Sequence, residues 1–529
     1  MSSGLQLLAV LLAAAAAARG QVTYERLRNS DAEPGNWLMY SGGYRSHRHS
    51  LLKQIDTANV ANLRPVWVYQ MDLSHKLETS PLVIDGAMYL TAPPSDVIAL
   101  DTRTGRPYWA YKRGRPSDVI TCCGQVNRGA AALGDLLYIG AVDGTAAALD
   151  ARTGRNIWSV PVESYKAGYS LTGAPLVVKD KVIFGVAGGE FGIRGFLDAY
   201  RAATGGRVWR FFTVPGPEDP NSKTWKGDSW KTGGAPTWLT GSYDPDLNLI
   251  YWGTGNPAPA WNADAREGDN LYSNSMVAID ADTGKLRWHF QFTPHDEFDW
   301  DANQIPVLVD ASFRGAPRKL LLTANRNGFY YVLDRQTGQF LHASPFAKQT
   351  WLEKFDDKGR PVRKPKMSPA AEGVTVYPSV EGATNWFSPA YNPAARLFYV
   401  AAREEGSIVV KAPVEFRAGA LFGGGGWRPV PDEPRWGAIR ALEYETGVMK
   451  WEFKLHSPPW GGLLSTAGGV IFGGAEEGDF LALDAASGKL LWRFQTGGRI
   501  IANPVTYSSG GKQQVAIASG QSIFAFGLE

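Results

Sequence analysis

Two cysteines and seven scattered histidines leave this 529-residue sequence without a zinc-type set of ligands. It has no Cys-x-x-Cys-His motif, so a covalently attached c-type haem is not expected. A Walker loop, a dinucleotide fingerprint and a nucleophile elbow are also missing, which argues against the common nucleotide and hydrolase chemistries. The net charge of +3 is too small to imply a nucleic-acid partner. No segment is expected to span a membrane. The Leu- and Ala-rich run at residues 5–18 is too short for that and ends in small residues, the pattern of a secretory signal cleaved near residues 18–21, although no Lys or Arg precedes it. The expectation is a signal over residues 1–20 and one domain over 21–529, working outside the cytoplasm where disulfides persist.

What the chain has in excess is 19 Trp and 60 Gly, which suit short aromatic-anchored strands joined by tight turns. One pattern recurs at residues 99–109 (ALDTRTGRPYW), 148–158, 199–209 and 278–288, and again at 332–342, 441–451 and 482–492. Each copy reads as a strand, a turn at Thr-Gly or Ser-Gly, and a strand ending in an aromatic or in His342, which is one hairpin of a propeller blade. Seven copies are recognisable. Trp67 precedes Trp109 by nearly the shortest repeat spacing, so the N-terminal strand is expected to join the C-terminal segment VAIASGQSIFAFG in an eighth blade. The fold predicted is all-β, an eight-bladed propeller of four-stranded blades closed by its two ends, which removes free sheet edges.

The repeat spacing stretches twice, between Trp209 and Trp288 and between His342 and Trp451, and long functional loops on one face are expected there. Most Trp residues are read as blade packing, and Trp238 and Trp460 as candidates for a ligand wall. Residues 295–301 (HDEFDWD) pack four carboxylates into seven positions. In an extended segment Asp299 and Asp301 would project to one side and could share a hard cation or flank a substrate, whereas Asp296 and Glu297 need not join them. The plainer alternative is a solvated acidic turn. Cys122 and Cys123 read either as a bridge between neighbours, a small strained ring of the kind found where function rewards it, or as two reduced core cysteines.

The motifs CCGQVNRG, GGEFGIRG, GTGNPAP, HDEFDWD and NRNG, interleaved in this order with the Trp-ended repeats, resemble the pyrroloquinoline quinone (PQQ) dependent alcohol dehydrogenases of the methanol and ethanol dehydrogenase family. The resemblance covers essentially the whole mature chain. It implies a quinone on the propeller axis and oxidation of a small primary alcohol to an aldehyde. By the same resemblance Cys122 and Cys123 form a disulfide against one face of the quinone and Trp238 stacks on the other. Glu78, Arg128, Thr172, Asn385 and Trp460 match positions that hold the quinone's edges and carboxylates, a role that suits a guanidinium. Gly188 and Gly189 match the close backbone approach. Ala187 stands where many members have Ser, and Pro236 where some have Thr.

Glu190, Asn256 and Asp299 match the family's metal ligands, and Asp299 its catalytic base; Arg326 matches the group that stabilises charge on the quinone oxygens. Asp301 resembles the extra aspartate of lanthanide-dependent members, so a lanthanide(III) ion is expected, with Ca2+ as the alternative. The resemblance further implies a periplasmic enzyme that passes electrons to a soluble cytochrome c; a homodimer is left open. Two other readings are a quinoprotein dehydrogenase for sugars or polyols and a scaffolding propeller of the bacterial envelope. A scaffold would have no reason to keep Cys122, Cys123, Glu190, Asn256, Asp299 and Arg326 together. The alcohol preferred depends on loops that sequence spacing does not place.

Overall fold

The computed structural model describes residues 21–72 and 76–529, so the expected signal segment lies outside the described residues. Among the described residues eight antiparallel blades form the ring, seven of four strands and one, blade 7, extended by a fifth, the two-residue strand His49–Ser50, which pairs parallel with Leu463–Thr466. Blade 1 comprises Leu82–Ile84, Ala87–Ala92, Asp96–Asp101 and Pro107–Tyr111, paired in that order. Blades 2 to 5 repeat the meander from Ala131–Leu133 through Phe340–Pro345. Blade 6 begins at Ala390–Asn392, blade 7 at Leu463–Thr466 and blade 8 at Val505–Ser509. As expected, blade 8 is completed by the N-terminal strand Arg64–Gln70, which pairs antiparallel with Ser522–Gly527.

The repeat owes its regularity to one local arrangement. In the first copy Asp101 Oδ1 accepts the amides of Arg103 (2.7 Å) and Thr104 (3.0 Å), folding the turn. Gly105 then adopts φ +70, and its bare Cα leaves room for the Trp67 ring of the neighbouring blade, which a Cβ would meet at 2.6 Å. The Trp67 indole N–H donates to Thr102 O at 2.8 Å. The same docking joins Trp109 to Ala151, Trp158 to Ala202, Trp209 to Ala281, Trp288 to Arg335 and Trp451 to Ala485. His342 fills the position in the copy without Trp, with Nε2 2.8 Å from Thr446 O. Each aromatic therefore clamps its own blade to the next.

Antiparallel meanders put two kinds of connection at opposite ends of the ring. Turns between a blade's first and second strands, and between its third and fourth, lie at one end, the turn end. Links between second and third strands, and from blade to blade, lie at the other, the loop end. The stretched spacing after His342 is not plain loop: it folds into a hairpin, Leu352–Phe355 with Pro361–Arg363, and a three-stranded sheet of Val374–Val376, Ser407–Lys411 and Gly425–Pro429. Their backbone groups find partners in these ladders.

Residues 37–50 run inside the ring, against the inner strands. Amides of Tyr243, Leu308, Tyr391 and Ser465, from blades 4 to 7, donate to Tyr44, Arg45, His47 and Arg48 carbonyls at 2.8–3.1 Å. Arg48 is wholly buried and gives its guanidinium to the Tyr40, Leu463 and Pro504 carbonyls, without a carboxylate partner among the described residues. Burial lowers its pKa to about 10.

Candidate active site

A cavity of about 580 Å³ opens at the loop end. It brings together Glu78, Cys122, Cys123, Arg128, Thr172 and Gly188, and with them Glu190, Trp238, Asp299, Asp301, Arg326, Asn385 and Trp460. These residues come from the blade-to-blade links around the ring and from the second-to-third-strand links of blades 3 and 5, so the site exists only when the ring is closed. Gly189 and Asn256 sit behind its wall. A Cβ on Gly189 would meet Asn256 Oδ1 at 3.2 Å and the Pro236 ring at 2.9 Å, which explains the glycine and gives Pro236 a role as a rigid wedge. Gly188, at φ +124, has no room for a Cβ beneath the Gly168 carbonyl.

Cys122 and Cys123 form a disulfide, with Cα atoms 3.8 Å apart, and both are exposed at the cavity. Oxygen of the Glu190 carboxylate lies within 4.8 Å of both sulfurs. Oxidised sulfurs are not thiolates, so this trio is no metal site. Beside the disulfide, Arg128 pairs with Glu78 (2.8 Å) and donates to Thr172 Oγ1 (3.1 Å), and all three are buried. Its guanidinium stands 4.8 Å from the Trp238 ring centroid and 5.0 Å from that of Trp386.

The acidic segment folds around Asp296. That buried carboxylate accepts the amides of Phe298 (3.1 Å) and Trp300 (3.0 Å), one on each side of Asp299. Glu297 pairs with Arg363 at 2.6 Å. Both acids are thus consumed by the loop, and Asp299 is held at φ +63, a left-handed conformation rare outside glycine. Arg326 secures it, donating from Nη1 to Asp299 O at 2.7 Å and from Nη2 to Asn385 Oδ1 at 3.0 Å. Asp301 is buried and fully oriented: Oδ1 accepts the Asn256 amide at 2.5 Å, and Oδ2 accepts the Trp238 indole N–H at 2.7 Å and lies 3.7 Å from Arg326. With the Asn303 amide turned so that its nitrogen donates to Gly253 O, its oxygen shares the same indole at 2.6 Å.

Electrostatically the cluster is short of positive charge. Burial, with the Asp301 charge adding, pushes Glu190 up to about 7. Asp299 is raised well above the usual carboxylate range by burial and then by Asp301, against the opposing pull of Arg326. Asn256 Oδ1 is buried with no hydrogen-bond partner among the described residues. The carboxylates of Glu190, Asp299 and Asp301 and the orphaned Asn256 amide oxygen, with the Arg326 guanidinium beside them, are hard oxygen donors of the kind a multivalent cation takes, but among the described residues the three carboxylates do not all come within 4.8 Å of one another. The disulfide, the Trp238 ring and the Arg128 guanidinium line this same cavity, side chains of the kind that a planar group bearing carboxylates would need.

Several lining residues were not singled out from the sequence: Trp261, Trp386, Leu421, Trp427 and Glu381. Trp261 ends the GTGNPAPAW run and Trp427 follows the glycine run 423–426, so glycine-rich stretches flanked by Trp were the available signal.

A family profile, PQQ: Glucose/ethanol/alcohol dehydrogenase, beta-propeller domain, matches residues 37–349 and 433–515. The chain is similar to the quinoprotein alcohol dehydrogenase PedH of Pseudomonas putida, 40% identical over 98% of this chain and 91% of that protein. It is also similar to the lanthanide-dependent methanol dehydrogenase of Methylacidiphilum fumariolicum, 37% identical over 94% of this chain and 86% of that one. A solved europium-containing methanol dehydrogenase superposes with a TM-score of 0.91 at 34% identity, covering 95% of this chain and 100% of that chain.

Proposed function

Because the chain belongs to the family of PQQ-dependent glucose, ethanol and alcohol dehydrogenases, we propose that it oxidises small primary alcohols to aldehydes at the loop-end cavity, with PQQ and a lanthanide(III) ion. Cys122, Cys123 and Trp238 would enclose the quinone's faces, and Glu78, Arg128, Thr172, Asn385 and Trp460 its edges, with Gly188 and Gly189 allowing close approach. Glu190, Asn256, Asp299 and Asp301 would hold the ion. The observation that carries this reading is the buried Asn256 Oδ1, without a hydrogen-bond partner among the described residues, on the residue whose backbone amide Asp301 accepts, with Glu190 pushed up to about 7 by burial and by the Asp301 charge. Three negative charges balance a trivalent ion better than a divalent one. Asp301 supplies the third of these charges, oriented by the Asn256 backbone amide and the Trp238 indole.

Bound together, metal and quinone supply a hydride acceptor for the alcohol carbon. The chain supplies the rest. Asp299 takes the hydroxyl proton: among the described residues its carboxylate makes no hydrogen bond that would compete, and its backbone is locked by Asp296 and Arg326. Arg326 lies within reach of both Asp299 and Asp301, and its guanidinium would stabilise negative charge on a quinone held beside them. Each turnover yields an aldehyde, and two electrons leave singly to a small soluble cytochrome c in the periplasm. The test is reconstitution with PQQ and either calcium or lanthanum, followed by dye-linked oxidation of primary alcohols, sugars and polyols. Alcohol oxidation supported by lanthanum is the expected outcome; turnover of sugars alone, or equal support by calcium, would defeat the substrate or the metal assignment respectively.

A further inference from the structure

Behind Trp460 stands a guanidinium that takes no part in lining the cavity. Arg403, near the end of the blade 6 strand Leu397–Glu404, is 2% exposed, and its guanidinium lies 4.2 Å from the Trp460 ring centroid. Its Nη1 donates to Pro459 O at 2.9 Å and its Nη2 to Glu381 Oε2 at 2.6 Å, while Nε and Nη2 share Glu405 Oε1. Glu381 lines the cavity, and Glu405 is buried. Residues 377–389, the link that carries Glu381, are fastened to this strand by backbone bonds: the Arg403 amide donates to Ala383 O at 2.8 Å and the Ser379 amide to Glu405 O at 2.9 Å. The same link reaches Arg326, whose carbonyl accepts the Ala383 amide at 2.9 Å and whose Nη2 donates to Asn385 Oδ1. Asn385 is itself tied back, its Nδ2 donating to Glu381 O at 2.8 Å. The Arg403 side chain then crosses from this link to the next one, between blades 6 and 7, and meets it at the Pro459 carbonyl and the Trp460 ring.

Two acids and a base are costly to bury, and apolar side chains of similar size would fill the same space with no charge to desolvate. A planar fork of five donors does what they cannot: it holds several partners at set angles and lies against an indole at the same time. We propose that Arg403 is a positioning residue for PQQ, which holds the Trp460 ring in its place on the cavity wall and ties it to the link that carries Asn385 and aims Arg326. The inference rests on the reading of the cavity as a PQQ site. Arg403 acts through Trp460 and Glu381, since it does not line the cavity itself. A lysine at this position would keep a positive charge between the two acids. Its single ammonium cannot reach Glu381, Glu405 and Pro459 O together while a flat face covers the indole, so charge and geometry are separable by that one substitution.

The experiment titrates the full apoprotein with PQQ in the presence of lanthanum and reads the Kd from quenching of tryptophan fluorescence, with thermal melting of each apoprotein as the measure of the fold. Arg403→Lys should melt close to wild type and bind PQQ at least about tenfold more weakly, the loss expected when a group that orients binding residues is removed. Arg403→Gln combined with Glu405→Gln removes charge and counter-charge together and carries the same expectation, so the measurement does not depend on the lysine variant folding. The cycle is closed with Trp460→Phe. Because Arg403 acts through the indole, Arg403→Lys should cost less than about threefold in PQQ affinity once Trp460 is already phenylalanine. Wild-type PQQ affinity in folded Arg403 variants, or an equal penalty with and without Trp460, overturns the positioning role and leaves the PQQ reading standing. So does lowered melting with affinity intact, which would make Arg403 a structural group only. Failure of wild-type protein to bind PQQ overturns that reading, and the role of Arg403 with it.

Discussion

At the turn end of the ring the blades present nearly the same chemistry over and over: an acid folding a turn, a left-handed glycine, and an aromatic from the blade before lying on it. At the loop end no two links are alike. One carries the disulfide, another Trp238, another Asp299 and Asp301, another Trp460. The same eight sheets thus divide labour along the axis, and the difference shows how a repeat can support chemistry that is not repeated. The turn end holds the ring together blade by blade, and the loop end collects single residues from distant parts of the chain onto one axis. Damage to the two ends should therefore have separable consequences.

The sharpest separation is expected from Asp299→Asn. The amide cannot accept the alcohol proton at neutral pH, so turnover should fall by about 10³-fold, within the usual range for losing a general base. Unfolding should be little changed, because the loop is folded by Asp296 and Arg326 rather than by the Asp299 side chain. The variant must be shown to retain PQQ and metal; near-normal turnover in such protein would remove Asp299 from the base role.

The converse case is Trp209→Ala at the turn end. Trp209 is 8% exposed, its indole donates to Ala281 O at 3.2 Å, and its ring covers Gly284. Its removal should cost about 3–5 kcal/mol of stability, read as a lower denaturant midpoint, while kcat per PQQ-loaded molecule stays within about twofold of wild type. A large loss of kcat in folded protein would show that the two ends are coupled.

Sequence and structure agree where the information is local. Asp101, Gly105 and Trp109 sit in one short segment and reappear at regular spacing, so seven blades were visible, and the matched spacing of Trp67 exposed the eighth. The disulfide was legible for the same reason, two neighbours needing no fold to bring them together. Residues 37–50 were not legible. Their partners, from Tyr243 to Ser465, lie hundreds of positions away, and no periodicity marks a strand that pairs with a different blade at almost every step. Nor was the three-stranded sheet over the cavity, because Val374–Val376 finds its partner only after an intervening stretch of blade 6. At the site, most residues that motifs marked line one cavity, whereas Trp261, Leu421 and Trp427, which reach it from loops, were not proposed as site residues.

A smaller effect at the loop end is expected from Asp301→Ala. The change removes one carboxylate from the donor set and frees the Asn256 amide and the Trp238 indole. Lanthanum-supported activity should fall about 10- to 100-fold, the usual cost of losing a group that ligates or orients metal ligands, and lanthanide affinity should weaken in a competition assay. Wild type should turn over with lanthanum and not with calcium. Unchanged lanthanum-supported activity in the variant would rule Asp301 out as a ligand.

The least of the expected effects concerns acid, and it belongs to the segment that lines the ring's interior. His47 has Nε2 2.6 Å from Leu308 O and packs edge-on against Tyr391. Burial lowers its pKa to about 4, with Arg45, His49 and Arg335 adding positive charge nearby. Because the folded value lies below the ordinary one near 6.5, the unfolded chain binds more protons between these limits. The neutral ring's contribution to stability is therefore complete above about pH 6.5 and is lost as pH falls toward about 4, at no more than about 1.4 kcal/mol per pH unit. Glu190 and Asp299 act with the opposite sign, since their raised values make the folded protein the better proton binder. The wild-type slope is consequently a mixture, and the informative quantity is a difference. Between about pH 7 and about pH 5, His47→Gln should lose less stability than wild type by about 1–2 kcal/mol in urea unfolding. Equal losses would mean that His47 does not titrate in this window.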